Sequence, residues 1–350
     1  MASKGEKISK SKGNSKVEPR ELVKTHSADS IRYWAGTGRL GNDIIFSEET
    51  LARGQKLINK LWNVSKFIEM HIHDYNENKE KFKEEVKKYN DLEYIDKWIL
   101  AKYEEMEKGY LKYLEEYEIG IALNHLEKFF WNFCDDYIEI VKHRLYRPEE
   151  FGERARYSGQ KTVYTLLFKL IQAFSIYLPY VTEEIYQMLP VKEAESIMIA
   201  KYPEYNKEYI FEAETKIVSD QIEFMKNFRN VKAENNMSKD LKIMFETDSD
   251  IELVVNVLRL AENIVTEPID VKSYKVLSNN IKATVYFEKK ETEADKQARE
   301  AKIKALQESI EKIESRLSNE NYINKAPEAV VAKDRQQVED DKKKLAELMK

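Results

Sequence analysis

The sequence predicts a mainly α chain: an antiparallel helix bundle, then a small α+β domain, then a C-terminal antiparallel coiled-coil hairpin. Three observations carry that prediction. Apolar residues recur at helical spacing over long stretches between Leu51 and Leu189. Gly and Pro number only 10 and 7 among 350 residues, and charged residues make up 35%, a composition that favours helix. Near the C-terminus Ile303, Leu306, Ile310, Ile313 and Leu317 step by 3 and 4 residues, which is a coiled-coil seam.

Residues 1–46 are loop-rich. Short helices fit 18–24, with Pro19 near the first turn, and 28–34. Gly36, Gly38 and Gly41 then break the pattern. The bundle occupies 47–205. Ser47 before Glu48 and Glu49 is an N-cap with acids in the first turn, where they complement the helix dipole. Leu51, Leu57, Ile58, Leu61, Val64, Phe67 and Ile68 form the buried stripe of the first long helix. A polar segment at about 74–91 separates it from a second helix, marked by Ile95, Ile99, Tyr103, Met106, Tyr110 and Leu114. A third helix over 121–145 is rich in aromatics, and a fourth over 158–178 stops at Pro179. A short fifth covers 181–189. Residues 206–289 mix a helix over 215–233, strands at 241–245 and 283–287, and a helix over 251–261. In 290–350 the seam breaks at Ser318-Asn319-Glu320-Asn321 and restarts at Ala326-Pro327. Val331, Val338 and Leu345 then step by sevens. Two such helices joined by a loop make a hairpin arm.

Composition excludes several classes of function. The net charge of −5 argues against a globally basic nucleic-acid binder, so any such surface is a local patch. One cysteine, Cys134, makes neither an internal disulfide framework nor a cysteine-based zinc site, and a reduced compartment is the simplest reading. No run approaches the roughly 20 apolar residues of a membrane span, and no signal-peptide core follows Met1. The chain reads as cut from something longer, because a polar, glycine-punctuated loop is a poor start for a domain.

That loop is Lys7-Ile8-Ser9-Lys10-Ser11-Lys12-Gly13-Asn14. Two ammonium groups flank Ser9, and Gly13 and Asn14 let the backbone bend. Such a loop suits a polyphosphate, whose charge in a transition state the lysines neutralise without moving a proton. On spacing alone a solvated basic tail is the better reading.

A resemblance changes the balance. Lys7-Ile8-Ser9-Lys10-Ser11 resembles the KMSKS signature of class I aminoacyl-tRNA synthetases, with Ile8 in the methionine position. Ala28-Asp29-Ser30-Ile31-Arg32-Tyr33 resembles the GADALRY segment that follows it in the branched-chain members. Residues 42–49, NDIIFSEE, and 59–67, NKLWNVSKF, resemble the DIRFSEE and NKLWNASRF segments that open the anticodon-binding bundle. Residues 129–137, FFWNFCDDY, resemble its FFWNEFCDWY helix, and 178–186, LPYVTEEIY, its HPFMPFITEEIW segment. Residues 317–331 look like the C-terminal arm of the valyl-tRNA synthetases. The resemblance, to the C-terminal part of that family, covers nearly the whole chain in order.

It implies part of an enzyme that attaches valine to tRNA(Val) using ATP with Mg2+. Residues 1–46 are then the end of the catalytic domain with its stem-contact region, 47–205 the anticodon-binding bundle and 290–350 a tRNA-binding arm. The ATP-binding role maps onto Lys7, Ile8, Ser9, Lys10 and Ser11, with Lys7 and Lys10 catalytic. Anticodon contact maps onto Asn59, Lys60, Trp62, Asn63, Lys66 and Phe67: aromatics to stack on a splayed base, amides and lysines for edges and phosphates. The plainer reading is that Trp62 and Phe67 are core, as the 129–137 aromatic stripe is expected to be, with Cys134 buried beside it. On the arm, Lys302, Lys304, Arg316, Lys325 and Lys333 are candidates for phosphate contact, or else ordinary charges flanking a heptad seam. Asp340, Asp341 and Glu347 would repel RNA, which places the basic contacts nearer the hairpin.

No HIGH motif surrounds any of His26, His71, His73, His125 or His143. His71-Ile72-His73 reads as a solvated pair at a helix end, and no metal site is expected. With no nucleotide-binding βαβ unit or editing domain, the chain alone is expected to be inactive and to hold no cofactor. It is expected to be a cytoplasmic monomer that binds tRNA(Val) and no membrane, and to meet ATP and valine only with the catalytic core. Two alternatives stand beside this. One is the equivalent region of an isoleucyl- or leucyl-tRNA synthetase. The other is a helical scaffold that dimerises through its coiled coil.

Overall fold

The structure is a computed structural model that describes residues 19–190, 192, 194–202, 207–288, 293–319, 322 and 327–348. The candidate ATP loop, Lys7 to Ser11, lies outside the described residues, as does Lys325. The chain divides into two compact units. One comprises Met1–Asn235, Ile243–Pro268 and Lys275–Val285; the other comprises Asn236–Lys242, Ile269–Tyr274 and Tyr286–Lys350.

The first unit is the helix bundle. Its elements are α1 (Pro19–Thr25), α2 (Ala28–Gly36), α3 (Glu48–His71), α4 (Tyr75–Lys81), α5 (Tyr94–Glu115), α6 (Ile119–Asn132), α7 (Glu139–Tyr146), α8 (Pro148–Phe151), α9 (Glu153–Ser175), α10 (Pro179–Met188) and α11 (Glu212–Glu234). Ser47 caps α3 as its sequence predicts, its side chain accepting from the Thr50 N–H, and Pro179 opens α10. Tyr103, Tyr110, Leu126, Phe130, Phe133, Leu170 and Phe174 are buried where α5, α6 and α9 meet. α6 and α7 are the single helix expected over 121–145, but a π turn at Phe133–Ile138 interrupts it. The wider turn shifts the helix's phase. Asp135 meets Lys60 of α3, Tyr137 meets Asp96 of α5, and Asp136 meets Lys226 of α11. Cys134 is buried in this turn, and burial pushes its thiol up to about 12.

The segment Ala28 to Tyr33 is fastened to the bundle residue by residue. The Asp29 carboxylate accepts from the N–H groups of Tyr180 and Val181, at 3.3 and 2.8 Å, and so caps α10 from another helix. Arg32 donates to the Ile176 carbonyl at 3.0 Å, near the end of α9. Tyr33 donates to Glu127 of α6 at 2.7 Å, and Arg53 of α3 holds the same carboxylate at 2.8 and 3.1 Å. Burial pushes the Glu127 carboxyl up, but the hydrogen bonds from Arg53 and Tyr33 more than offset it and leave it below the usual range. Beneath the Tyr33 ring lies Gly54, where a Cβ would stand 2.6 Å from the ring. A helix-interior Gly→Ala change normally gains about 0.5–1 kcal/mol. Here Gly54→Ala should instead lose about 1–3 kcal/mol, because the ring must move against a packed core. A chemical-denaturation midpoint equal to or above that of the parent would rule this packing out.

α11 serves both the bundle and the small sheet. Toward the bundle, Glu214 pairs with Lys97 and Ser219 accepts from the Trp98 indole, at 3.1 and 3.0 Å. The sheet comprises β1 (Lys242–Phe245), β2 (Ser273–Leu277) and β3 (Lys282–Tyr286) in the order β1-β3-β2, with α12 (Glu252–Leu258) after β1. The Asp220 carboxylate accepts from the N–H groups of Asn279 and Asn280 and so secures the β2–β3 turn. Strand β2 lies outside the sequence expectation. Only Val276 within it is buried, so no alternation marks it.

The second unit carries the arm: α13 (Glu293–Leu317) and α14 (Glu328–Leu348). Ile310, Ile313 and Val338 form its core, with Leu317 and Leu345 packed against them. The seam is thus closed between the two helices. Asp341, expected to repel RNA, packs into this seam. It is 4% exposed, and it accepts from Ser309 at 3.2 Å and from Gln337 at 2.9 Å. A hydrogen-bonded carboxylate in an apolar seam helps to fix the register of the two helices.

Candidate nucleic-acid interface

α3 has two faces because its apolar residues fall on one stripe. Leu51, Leu57, Ile58, Leu61, Val64 and Ile68 are buried, and the outward residues include Lys56, Asn59, Lys60, Trp62, Asn63, Lys66, Phe67 and Met70, with Arg53, Gln55 and the acidic Glu69 among them. All six residues expected from the sequence to meet RNA lie on this face. Asn59 is exposed and accepts from Gln55 at 3.0 Å. Asn63 is exposed, with no hydrogen-bond partner among the described residues. Lys60 pairs with Asp135 at 3.1 Å and, with Lys56, stands 5.7 Å from the centre of the Trp131 ring. Lys66 pairs with Glu69 at 3.0 Å and lies over the half-buried Trp62 ring at 5.4 Å.

Phe67 is half-buried and joins a ring cluster. His71 lies 4.7 Å from it and Tyr146 5.8 Å, and the His71 and Tyr146 rings meet edge-on at 4.3 Å. The solvated histidine pair expected here does not form. His73 is exposed against the Met70 carbonyl, but His71 is 9% exposed and its Nε2 has no hydrogen-bond partner among the described residues. Burial first, then electrostatic repulsion from Arg156 and from the neighbouring His73, lowers the His71 pKa and favours the neutral ring. Tyr146 is 56% exposed and Met70 60%, so the cluster opens to solvent on its outer side. Among the described residues no group of three His, Cys, Asp or Glu side chains is placed to hold a metal ion.

Sequence reasoning missed Trp131, Tyr146 and Lys56. Trp131 stands in the stripe expected to be core, and Phe129, Phe130, Phe133 and Tyr137 are indeed buried there. Trp131 itself is half-buried beneath the two lysines. The lone signal was its place beside Phe129 and Phe130 rather than on their period. Tyr146 carries no signal in sequence at all, since it reaches α3 only through the fold. On the arm, Lys302, Lys304, Arg316 and Lys333 are exposed, and Arg316 lies 3.9 Å from Asp334. No helix among the described residues is long and apolar enough to cross a membrane.

The outward face of α3 is therefore an interleaving of amides, ammonium groups and half-buried rings, and comparison with known proteins gives it a context. Residues 96–247 match the family described as the anticodon-binding domain of tRNA ligase, and residues 291–350 match the valyl tRNA synthetase tRNA binding arm. Valine–tRNA ligase from Carboxydothermus hydrogenoformans is 31% identical over 353 residues, which take in 97% of this chain and 39% of that protein. Those from Aquifex aeolicus and Thermotoga maritima are each 31% identical, over 99% and 98% of this chain. The chain belongs to the valyl-tRNA synthetase family. It corresponds to the C-terminal part of these relatives and spans 31–39% of their length. The arm match and the valine-specific relatives place it with the valyl branch rather than with the isoleucyl or leucyl enzymes. α3 itself precedes the matched anticodon-binding residues. A solved leucyl-tRNA synthetase from Agrobacterium radiobacter K84, in a ternary complex with tRNA, aligns with 79% of this chain and 30% of its own, at 12% identity and a TM-score of 0.42.

Proposed function

We propose that this chain holds tRNA(Val) for a valine–tRNA ligase, the α3 face reading the anticodon and the arm gripping the backbone. The observation that carries the reading is the α3 face. Exposed Asn59 and Asn63 offer donors and acceptors to base edges, Trp62 and Phe67 offer ring surface, and Lys56, Lys60 and Lys66 offer charge to phosphates. The ring cluster of Phe67, His71 and Tyr146 extends the stacking surface at one end. On the arm, Lys302, Lys304, Arg316, Lys325 and Lys333 act by sequence-independent attraction to phosphates.

In the whole enzyme the substrates are valine, tRNA(Val) and ATP with Mg2+, and the setting is the cytoplasm. The loop from Lys7 to Ser11 then serves activation. The Lys7 and Lys10 ammonium groups offset phosphate charge, Ser9 and Ser11 hydrogen-bond it, and Ile8 anchors the loop. The closed seam of the arm favours a monomer over a dimerising scaffold, and light scattering at the chain mass would check it.

Titration with labelled valine tRNA, an anticodon-altered copy and a leucine tRNA tests the reading. Tighter binding of the unaltered valine tRNA is expected, and Asn63→Ala or Trp62→Ala should remove that preference. A stacked base contributes about 1–3 kcal/mol. Equal, strongly salt-dependent binding of all three would refute anticodon reading by α3 and leave backbone attraction alone.

A further inference from the structure

We propose that the cleft between α5, α6 and α11 takes an unstacked nucleobase of the same tRNA, together with its phosphate, as a contact separate from the α3 face. The proposal rests on the tRNA-binding reading above. The cleft has a volume of about 630 Å³ and belongs entirely to the first unit. That is within the usual range for a site that encloses a small ligand. It also lies inside residues 96–247.

Its floor is apolar: Trp98, Met106, Phe129 and Ile222 are each between 6 and 8% exposed. Its rim carries charge, but most of it is spent within the protein. Lys226 is held by Asp136 at 2.7 Å, Lys102 by Glu105 at 3.0 Å, and the Trp98 indole by Ser219 at 3.0 Å. What is left over is the Glu223 carboxylate of α11, which accepts from the Asn279 amide at 3.2 Å, and three residues of α6. His125, Lys128 and Asn132 recur at helical spacing on the cleft side, and neither Lys128 nor Asn132 has a hydrogen-bond or ion-pair partner among the described residues. One amide with both a donor and an acceptor, and one ammonium group, over an apolar floor match one nucleotide. The amide reads a base edge, the ammonium takes a phosphate, and the floor takes the face. A cluster of free cations, which a polyphosphate would need, is not there.

Gly109 supports this. It sits in the interior of α5 and lines the cleft, and glycine is the poorest residue for a helix interior after proline. Packing does not require it. A Cβ there would meet only His125, at the ordinary distances of 3.6 and 3.8 Å. Its effect is to keep the cleft open. The cleft lies across α6 from the α3 face. Asn132 follows Trp131, the ring beneath Lys56 and Lys60, so only α6, about 10 Å across, lies between the two.

The test is a fluorescence titration of a valine tRNA transcript with the full chain and three variants. Gly109→Leu fills the cleft, Asn132→Ala removes its exposed amide, and Asn63→Ala alters α3 alone. Gly109→Leu and Asn132→Ala should each weaken binding roughly ten-fold, as expected for a stacked and edge-bonded base, with unchanged helical circular dichroism. Combining either with Asn63→Ala should multiply the losses. Asn132 is exposed, so its variant carries the test should Gly109→Leu fail to fold. Asn132→Ala binding within two-fold of the parent, while Asn63→Ala weakens it, would overturn the cleft and leave the α3 reading intact. If the parent chain binds no tRNA at all, both readings fall together.

Discussion

Asp96→Ala should destabilise the bundle by about 3–5 kcal/mol, the range found when one partner of a buried ion pair is removed. Asp96 is fully buried on α5 and is the acceptor for three donors. Tyr137 of the π turn and Arg144 of α7 each reach Oδ1 at 2.6 Å, and Ser158 of α9 reaches Oδ2. Alanine would leave the Arg144 guanidinium, whose side chain is 10% exposed, without its counter-charge, and the Tyr137 hydroxyl without its acceptor. All four tryptophans, Trp34, Trp62, Trp98 and Trp131, belong to the first unit, so their fluorescence in a denaturant titration reports the bundle without the arm. Asp96→Leu combined with Arg144→Met should cost less than Asp96→Ala, because no lone charge remains. A cost for Asp96→Ala below about 1 kcal/mol would show that water reaches the site and that the pair is not desolvated. The consequence for the interface follows from position. Tyr146 is the last residue of α7 and meets the His71 ring edge-on, and Arg144, two residues before it, ties α7 to α5. Loss of tRNA affinity should therefore accompany loss of stability in Asp96→Ala.

The network around Asp96 also marks where sequence reading ends. Amphipathic period and caps were enough for α3, since Ser47 opens it and the outward residues are the complement of the buried stripe. The same logic found the arm, whose seam residues Ile310, Ile313, Val338, Leu317 and Leu345 do pack together. It failed where burial is sparse or shared. α4 lies in the segment taken as polar, because YNENKEK shows almost no apolar residue. Yet Tyr75, its first residue, and Phe82 just after it are buried, and the Tyr75 ring stacks on Tyr164 at 5.0 Å and on Tyr157 at 6.0 Å. The π turn was hidden because an inserted residue in a continuous helix leaves the composition unchanged. That turn decides which neighbours of Trp131 face α3, α5 and α11. One wall of the candidate site thus depended on a feature with no local signature, while α3 was legible residue by residue.

Lys169→Met should also cost about 3–5 kcal/mol at pH 7, and here the cost should depend on pH. Lys169 of α9 lies 3.5 Å from Glu104 and 3.6 Å from Glu107 of α5, and all three side chains are nearly buried. Its ammonium also lies 4.8 Å from the centre of the Tyr103 ring, and the Tyr103 hydroxyl donates to Glu107 at 2.8 Å. Burial raises the Glu107 pKa, and Lys169 offsets part of that rise. The direction of the linkage follows. A carboxyl whose folded pKa exceeds its unfolded value binds protons more tightly in the folded state. Its favourable contribution is whole below the unfolded value, near 4.5, and is lost as pH rises through the raised value. Without Lys169 the offset disappears, and two buried carboxylates face each other with no cation between them, so the rise in pKa grows. The variant's deficit relative to the parent should therefore be largest at pH 7 and shrink toward pH 4, where Glu107 can be protonated in both proteins. Parallel denaturant titrations at the two pH values measure it. A deficit that is the same at both would mean that Lys169 acts through packing of its methylene stem against Tyr103, and not through its charge.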